Sequence, residues 1–95
     1  MGTIPRTILN RLPEHWSETN NSLQREFIFK TFKEAVEFMS SCVNSIDFLN
    51  HHPEWINVYN KVNVTLRTHD AGNVVTSKDY ELAKVLEEVY LEKFS

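Results

Sequence analysis

Between Thr31 and Asn50 the chain reads TFKEAVEFMSSCVNSIDFLN, and Pro53 follows three residues later. Phe32, Ala35, Val36, Met39, Cys42, Val43, Ile46 and Leu49 recur at the i, i+3, i+4, i+7 spacing of one helical face. The spacing predicts an amphipathic helix of about five turns. Thr31 and Glu34 fit a capping box at its start, where hydroxyl and carboxylate each satisfy a free N–H. Pro53 stops it soon after Leu49, because the residue before a proline avoids the α region. Phe38 sits at the edge of the stripe and Phe48 falls off it. In a chain of 95 residues, a helix this long dictates the rest, which must supply a surface for its stripe.

The remaining segments are short enough to be that surface. Trp16–Thr19 and Leu23–Phe29 flank the turn-forming cluster Asn20, Asn21, Ser22, and the second is rich in aromatic and branched residues; this predicts a β-hairpin. In INVYNKVNVTL, Ile56, Val58, Val62, Val64 and Leu66 share one parity, the pattern of a half-buried strand. Asn60-Lys61 offers a tight turn that would make this a second hairpin; one long bent strand is the rival reading. RTHDAGN reads as a loop, with Gly72 free to take an unusual backbone angle. A last helix opens at Thr76 and Asp79, again a capping-box pair, and carries Leu82, Ala83, Leu86, Val89 and Tyr90 as its stripe. Pro5 to Leu12 has room for one or two further helical turns. The expected fold is α+β: a two-layer sandwich, one domain over residues 1–95, with a four-stranded antiparallel sheet and about three helices packed on one face.

Composition removes several classes of function. Ten basic and thirteen acidic residues leave a net charge of -3, which gives no electrostatic basis for direct nucleic-acid binding. Two glycines, Gly2 and Gly72, cannot build a glycine-rich phosphate loop. Cys42 is the only cysteine, so there is no internal disulfide; on the apolar stripe it is expected to pack as a small hydrophobe. No apolar run approaches membrane-spanning length. The N-terminus shows neither a signal pattern nor a myristoylation pattern. The expected location is the cytoplasm, which does not bar the nucleus.

The chemistry concentrates in the histidines. His51 and His52 lie where the long helix ends, and His69 just past the end of a strand. Asp47 precedes His51 by one helical turn, where its carboxylate can accept from an imidazole and fix its tautomer. Asp70 and Asp79 follow nearby in sequence. Imidazoles titrate near neutral pH, which suits a reaction that takes a proton from one atom while another leaves as water. A zinc site is the competing use of three histidines, but there is no HExxH and adjacent residues rarely share one ion. His15 reads as a surface residue and Trp55 as a packing residue first.

DFLNHHPEWINVYNKVNVTLRTHDAG, followed by TSKDYELA, resembles the pterin-4a-carbinolamine dehydratases. The family pattern is an acidic residue, three intervening positions, His-His-Pro, an aromatic, a histidine and an aspartate. Asp47, His51, His52, Pro53, Tyr59, His69 and Asp79 fill those places. The resemblance implies dehydration of 4a-hydroxytetrahydrobiopterin to quinonoid dihydrobiopterin, recycling the pterin of aromatic amino acid hydroxylases. It implies His51, His52 and His69 as the catalytic set, with His51 and His69 as the acid–base pair and His52 mainly positioning substrate. Asn50, Pro53, Arg67, Thr68 and Asp70 would line the pterin, with Asp47, Trp55 and Asp79 in support. Arg67 stands where relatives often have a small hydroxyl residue. No metal or organic cofactor is implied. The family assembles as homodimers or homotetramers. Some animal members also serve as a dimerisation cofactor for a transcription factor, so a non-catalytic module for a protein partner is the alternative function.

Overall fold

The computed structural model describes residues 12–94. The elements run β1 (Ser17–Thr19), β2 (Ser22–Ile28), α1 (Phe32–Leu49), β3 (Glu54–Val58), β4 (Lys61–Leu66), a single 3-10 turn at His69–Ala71, and α2 (Ser77–Lys93). The four strands form one antiparallel sheet in the order β1-β2-β4-β3. The described residues therefore hold two α-helices and a 3-10 turn where about three helices were expected. The segment from Pro5 lies outside the described residues up to Leu12.

Both hairpins turn on left-handed residues. Asn20 and Asn21 take φ 51° and 59°, a conformation that asparagine tolerates, and join Thr19 to Ser22. The second turn is Tyr59-Asn60, one residue earlier than Asn60-Lys61, with Val58 paired to Lys61. A two-residue turn joins positions of opposite parity. Ile56 and Val58 therefore leave the face shared by Val62, Val64 and Leu66 and stand on the open side, 65% and 61% exposed. The Asn57 side-chain amide donates to the carbonyls of Tyr59 and Lys61 and holds the turn closed. The Asn60 amide donates to Phe29 O at 2.9 Å, tying the turn to the end of β2.

The core is built from Leu23 and Phe27 of β2, Val62, Val64 and Leu66 of β4, and the buried faces of the two helices. Along α1 the buried positions are Ala35, Phe38, Cys42 and Ile46. Phe38 is fully buried at the centre, while Phe32, Val36 and Val43 of the expected stripe are exposed. The apolar arc of α1 is wider than one interface, and the sheet and α2 cover only the flank through Phe38. On α2, Leu82, Ala83 and Leu86 are buried, with Val89 and Tyr90 packed against the core. Phe27, Phe29, Phe38, Tyr90 and Phe94 form a cluster of edge-on and tilted ring contacts.

Polar ties fix α2 to the sheet. Glu87 is buried and accepts from Trp16 Nε1 at 2.8 Å and from Arg25 Nε and Nη2 at 3.0 and 3.1 Å. The Arg25 guanidinium lies 4.3 Å from the Phe27 ring centroid. At the other end of α2, the Tyr80 hydroxyl donates to Glu18 Oε1 at 2.5 Å. That bond, then burial and the Glu18 charge, pushes the Tyr80 pKa up to about 12. Cys42 is buried on α1, and burial pushes its thiol up to about 12 against the opposing pull of Lys93.

Candidate functional site

The antiparallel pairing of β3 with β4 places the start of one strand beside the end of the other, Glu54 opposite Thr65. The segment entering β3 and the segment leaving β4 therefore emerge at the same end of the sheet. The first carries His51 and His52; the second carries Arg67, Thr68 and His69.

Asn50 takes φ 52° and ψ 41°, the left-handed cap that ends α1, with its N–H bonded back to Asp47 O and Ile46 O. This reversal separates the two histidines. His51 turns inward and is buried, whereas His52 stays exposed. Asp47 reaches His52, with 3.3 Å between Oδ1 and Nε2, both side chains open to solvent. His51 has a different carboxylate: its Nε2 lies 2.6 Å from Asp79 Oδ1.

Asp79 is fully buried and is the node of the site. Its Oδ2 accepts from the Thr68 hydroxyl and from the Thr76 N–H, each at 2.8 Å. The Thr68 and Thr76 hydroxyls meet at 2.6 Å. One carboxylate thus links the end of α1, the segment after β4 and the start of α2. The Thr76-x-x-Asp79 spacing that marks a helix start also carries this network. Facing an acceptor-only carboxylate, a neutral His51 holds its proton on Nε2 and leaves Nδ1 as the acceptor.

The Thr68–Ala71 segment is closed as a small loop. Thr68 N donates to Val74 O at 2.9 Å and Gly72 N to His69 O at 3.0 Å. Gly72 closes it with φ 92°. His69 and Asp70 are exposed on this loop, next to the buried Thr68. Arg67 is half-buried; its Nε is sealed from solvent and has no hydrogen-bond partner among the described residues. Pro53 and Trp55 are half-buried, and Trp55 packs against the core beside its role as a β3 residue. Asn50 is exposed.

Among the described residues, no three His, Cys, Asp or Glu side chains gather as a metal site would require. No helix among them is long and apolar enough to cross a membrane. Sequence reasoning missed the Thr76 hydroxyl as a site residue and the partnership of His51 with Asp79. The first was visible only as a helix cap, and the second joins residues 28 positions apart.

What the fold and these contacts define is a small α+β domain with a buried histidine–carboxylate pair at one end of its sheet. The chain belongs to the pterin 4 alpha carbinolamine dehydratase family, whose model matches residues 4–89. The family is one of hydro-lyases. A protein of Rhizobium meliloti (strain 1021) is 49% identical over 77 residues, covering 79% of this chain and 73% of its own. One from Opitutus terrae is 46% identical over 74 residues, covering 78% and 76%. Both bear the name "Putative pterin-4-alpha-carbinolamine dehydratase". The crystal structure of a transcriptional coactivator/pterin dehydratase from Brucella melitensis superposes with a TM-score of 0.75 at 37% identity, covering 80% of this chain and 82% of that one.

Proposed function

We propose that this chain dehydrates 4a-hydroxytetrahydrobiopterin to quinonoid dihydrobiopterin. In that reaction the C4a–OH bond breaks and its oxygen departs as water. The neighbouring ring nitrogen loses its proton, and a C=N bond forms between them. Two proton transfers are needed, one onto the leaving oxygen and one off the nitrogen, and His51 and His69 are assigned to them. The supporting observation is the 2.6 Å pairing of His51 Nε2 with buried Asp79, which fixes the ring and leaves Nδ1 as a base. Asp79 is a positioning residue here. His52, on the surface with Asp47, is assigned to holding the substrate, as are Asn50, Pro53, Arg67, Thr68 and Asp70.

The test is stopped-flow dehydration of the 4a-hydroxypterin without added metal. The wild type is expected to exceed the spontaneous rate, and His69→Ala to lose about a hundred- to ten-thousand-fold of turnover with its fold intact. A wild type no faster than the spontaneous reaction would sink the reading. Unchanged turnover in the variant would remove His69 from the chemistry.

A second reading concerns partners. Phe32, Val36 and Val43 form an exposed apolar flank on α1, and Phe48, on a different side of the helix, is 89% exposed. Such a flank suits a helix-to-helix contact, and we assign it to homodimer or homotetramer formation. A transcriptional coactivator role, which the name of the Brucella melitensis protein carries, would use the same kind of surface if exerted through a protein partner. The histidine end of the sheet is left free, so both activities are compatible.

A further inference from the structure

Of the residues assigned to holding the substrate, Arg67 alone carries a fixed positive charge. Its Nε is buried without a hydrogen-bond partner. Among the described residues no carboxylate pairs with its guanidinium, although Asp70 lies three positions along the chain and the molecule as a whole is acidic. An arginine left in this state is costly. A buried, unsatisfied donor forfeits about 1–3 kcal/mol, more when the group is charged. The same residue directly precedes Thr68, which is bonded to Asp79, and lies two positions before His69. Counting on two residues from the Glu54–Thr65 pair reaches His52 on one segment and Arg67 on the other. Arg67 and His52 therefore leave the sheet at the same end, one on each segment.

A partner must bring acceptors, because the guanidinium has donors only, and its reachable donors are the terminal nitrogens rather than the sealed Nε. Its planar fork matches two oxygens held side by side, the geometry of a carboxylate or a phosphate. Resting on the reading of this site as a pterin cleft, we propose that Arg67 selects pterins whose side chain ends in an anion, a carboxylate or a phosphate monoester. The neutral dihydroxypropyl side chain of biopterin would leave the fork with weaker, uncharged acceptors. The substrate class thus extends beyond biopterin to acidic pterins, with Arg67 as the specificity determinant.

The experiment is fluorescence binding to the full chain of three probes: 6-hydroxymethylpterin, its phosphate monoester and 6-carboxypterin. The wild type is expected to bind at least one anionic probe about tenfold to a hundredfold more tightly than the neutral one, the range of a charge-assisted hydrogen bond. That preference should shrink with added salt. Whichever anion gains more identifies the group read. In Arg67→Thr the loss for that anion should exceed the loss for the neutral probe by about the same factor, and Arg67→Lys should recover part of it. Equal wild-type affinity for all three probes overturns the proposal while leaving the pterin cleft standing, and so does an equal loss in the variant, which would place Arg67 on the ring. If the wild type binds none of the three, the pterin reading falls and this one with it.

Discussion

Asp79 accepts from three groups that belong to three different segments, and none of them has another buried carboxylate within reach. Its replacement by Asn keeps the size but turns one acceptor oxygen into a donor. The amide would then face His51 Nε2 with a proton and favour the opposite tautomer. Asp79→Asn is expected to lower turnover by at least about a hundredfold and to reduce stability by about 1–3 kcal/mol. The pH–rate profile should change shape as well as height, which a purely structural loss would not produce. Cys42 behaves differently. Burial holds its thiol protonated, raised from 9.0 to about 12, so native protein at pH 8 should leave thiol reagents unreacted until it is denatured. The folded pKa lies above the unfolded one. The stabilisation is complete below pH 9 and is lost as pH rises from 9.0 towards 12. Cys42→Ala should flatten the alkaline part of the stability curve. At this scale the sequence pointed to histidines and carboxylates close along the chain but not to which of them touch. Asp47 was legible as a histidine partner from helical spacing, yet the left-handed Asn50 passes it to His52 and gives His51 to Asp79. A single backbone angle at a helix cap is not readable from periodicity.

At the scale of elements, both long helices and both hairpins were legible, because each has a regular period or a turn-forming pair. The register of the second hairpin was not. Parity alone groups Ile56 with Val64, and only the position of the turn separates them. Tyr59 is the cause: a bulky residue held at φ 53° where Asn or Gly would be at ease. Tyr59→Asn is expected to raise stability by about 1 kcal/mol, read as a higher melting temperature. Gly72 makes the opposite case. No atom lies within 4 Å of where a Cβ would stand, so Gly72→Ala meets no clash, but φ +92° penalises any side chain. The variant should lose about 1–2 kcal/mol and loosen the loop that carries His69. On α1, the apolar pattern was read as one stripe because 3.6-residue spacing cannot distinguish one wide face from two adjoining ones. Phe38→Ala, on the covered flank, should cost about 3–5 kcal/mol, against far less for Val36→Ala on the open one.

Among the described residues of the whole molecule, one layer of helices packs on one sheet whose second face is open, so stability depends on a few long-range ties. The Arg25–Glu87 pair, with Trp16 on the same carboxylate, joins the first strands to the last helix across more than 60 positions of sequence. Removing one partner strands the other charge. Glu87→Ala is expected to cost about 3–5 kcal/mol by denaturant unfolding, well above the effect of breaking the exposed Lys33–Glu37 pair. None of this triad was legible beforehand, since nothing local to Glu87 distinguishes it from its solvated neighbours on α2. The exposed flank of α1 predicts self-association. Light scattering should find a species larger than the 11.2 kDa monomer, and Val36→Asp with Val43→Asp should return it to monomer.

The carboxylate that bonds the N–H of Thr76, the N-cap of α2, is also the one that steadies the His51 ring. Starting a helix and aiming an imidazole are therefore one event in this chain. Helix ends fray before helices melt, and the fraying of this end releases the ring. Under rising urea, turnover should fade while the far-ultraviolet signal of both helices is still intact. The enzyme's own rate would then serve as a gauge of the first turn of α2, sensitive to loosening that bulk spectroscopy cannot detect.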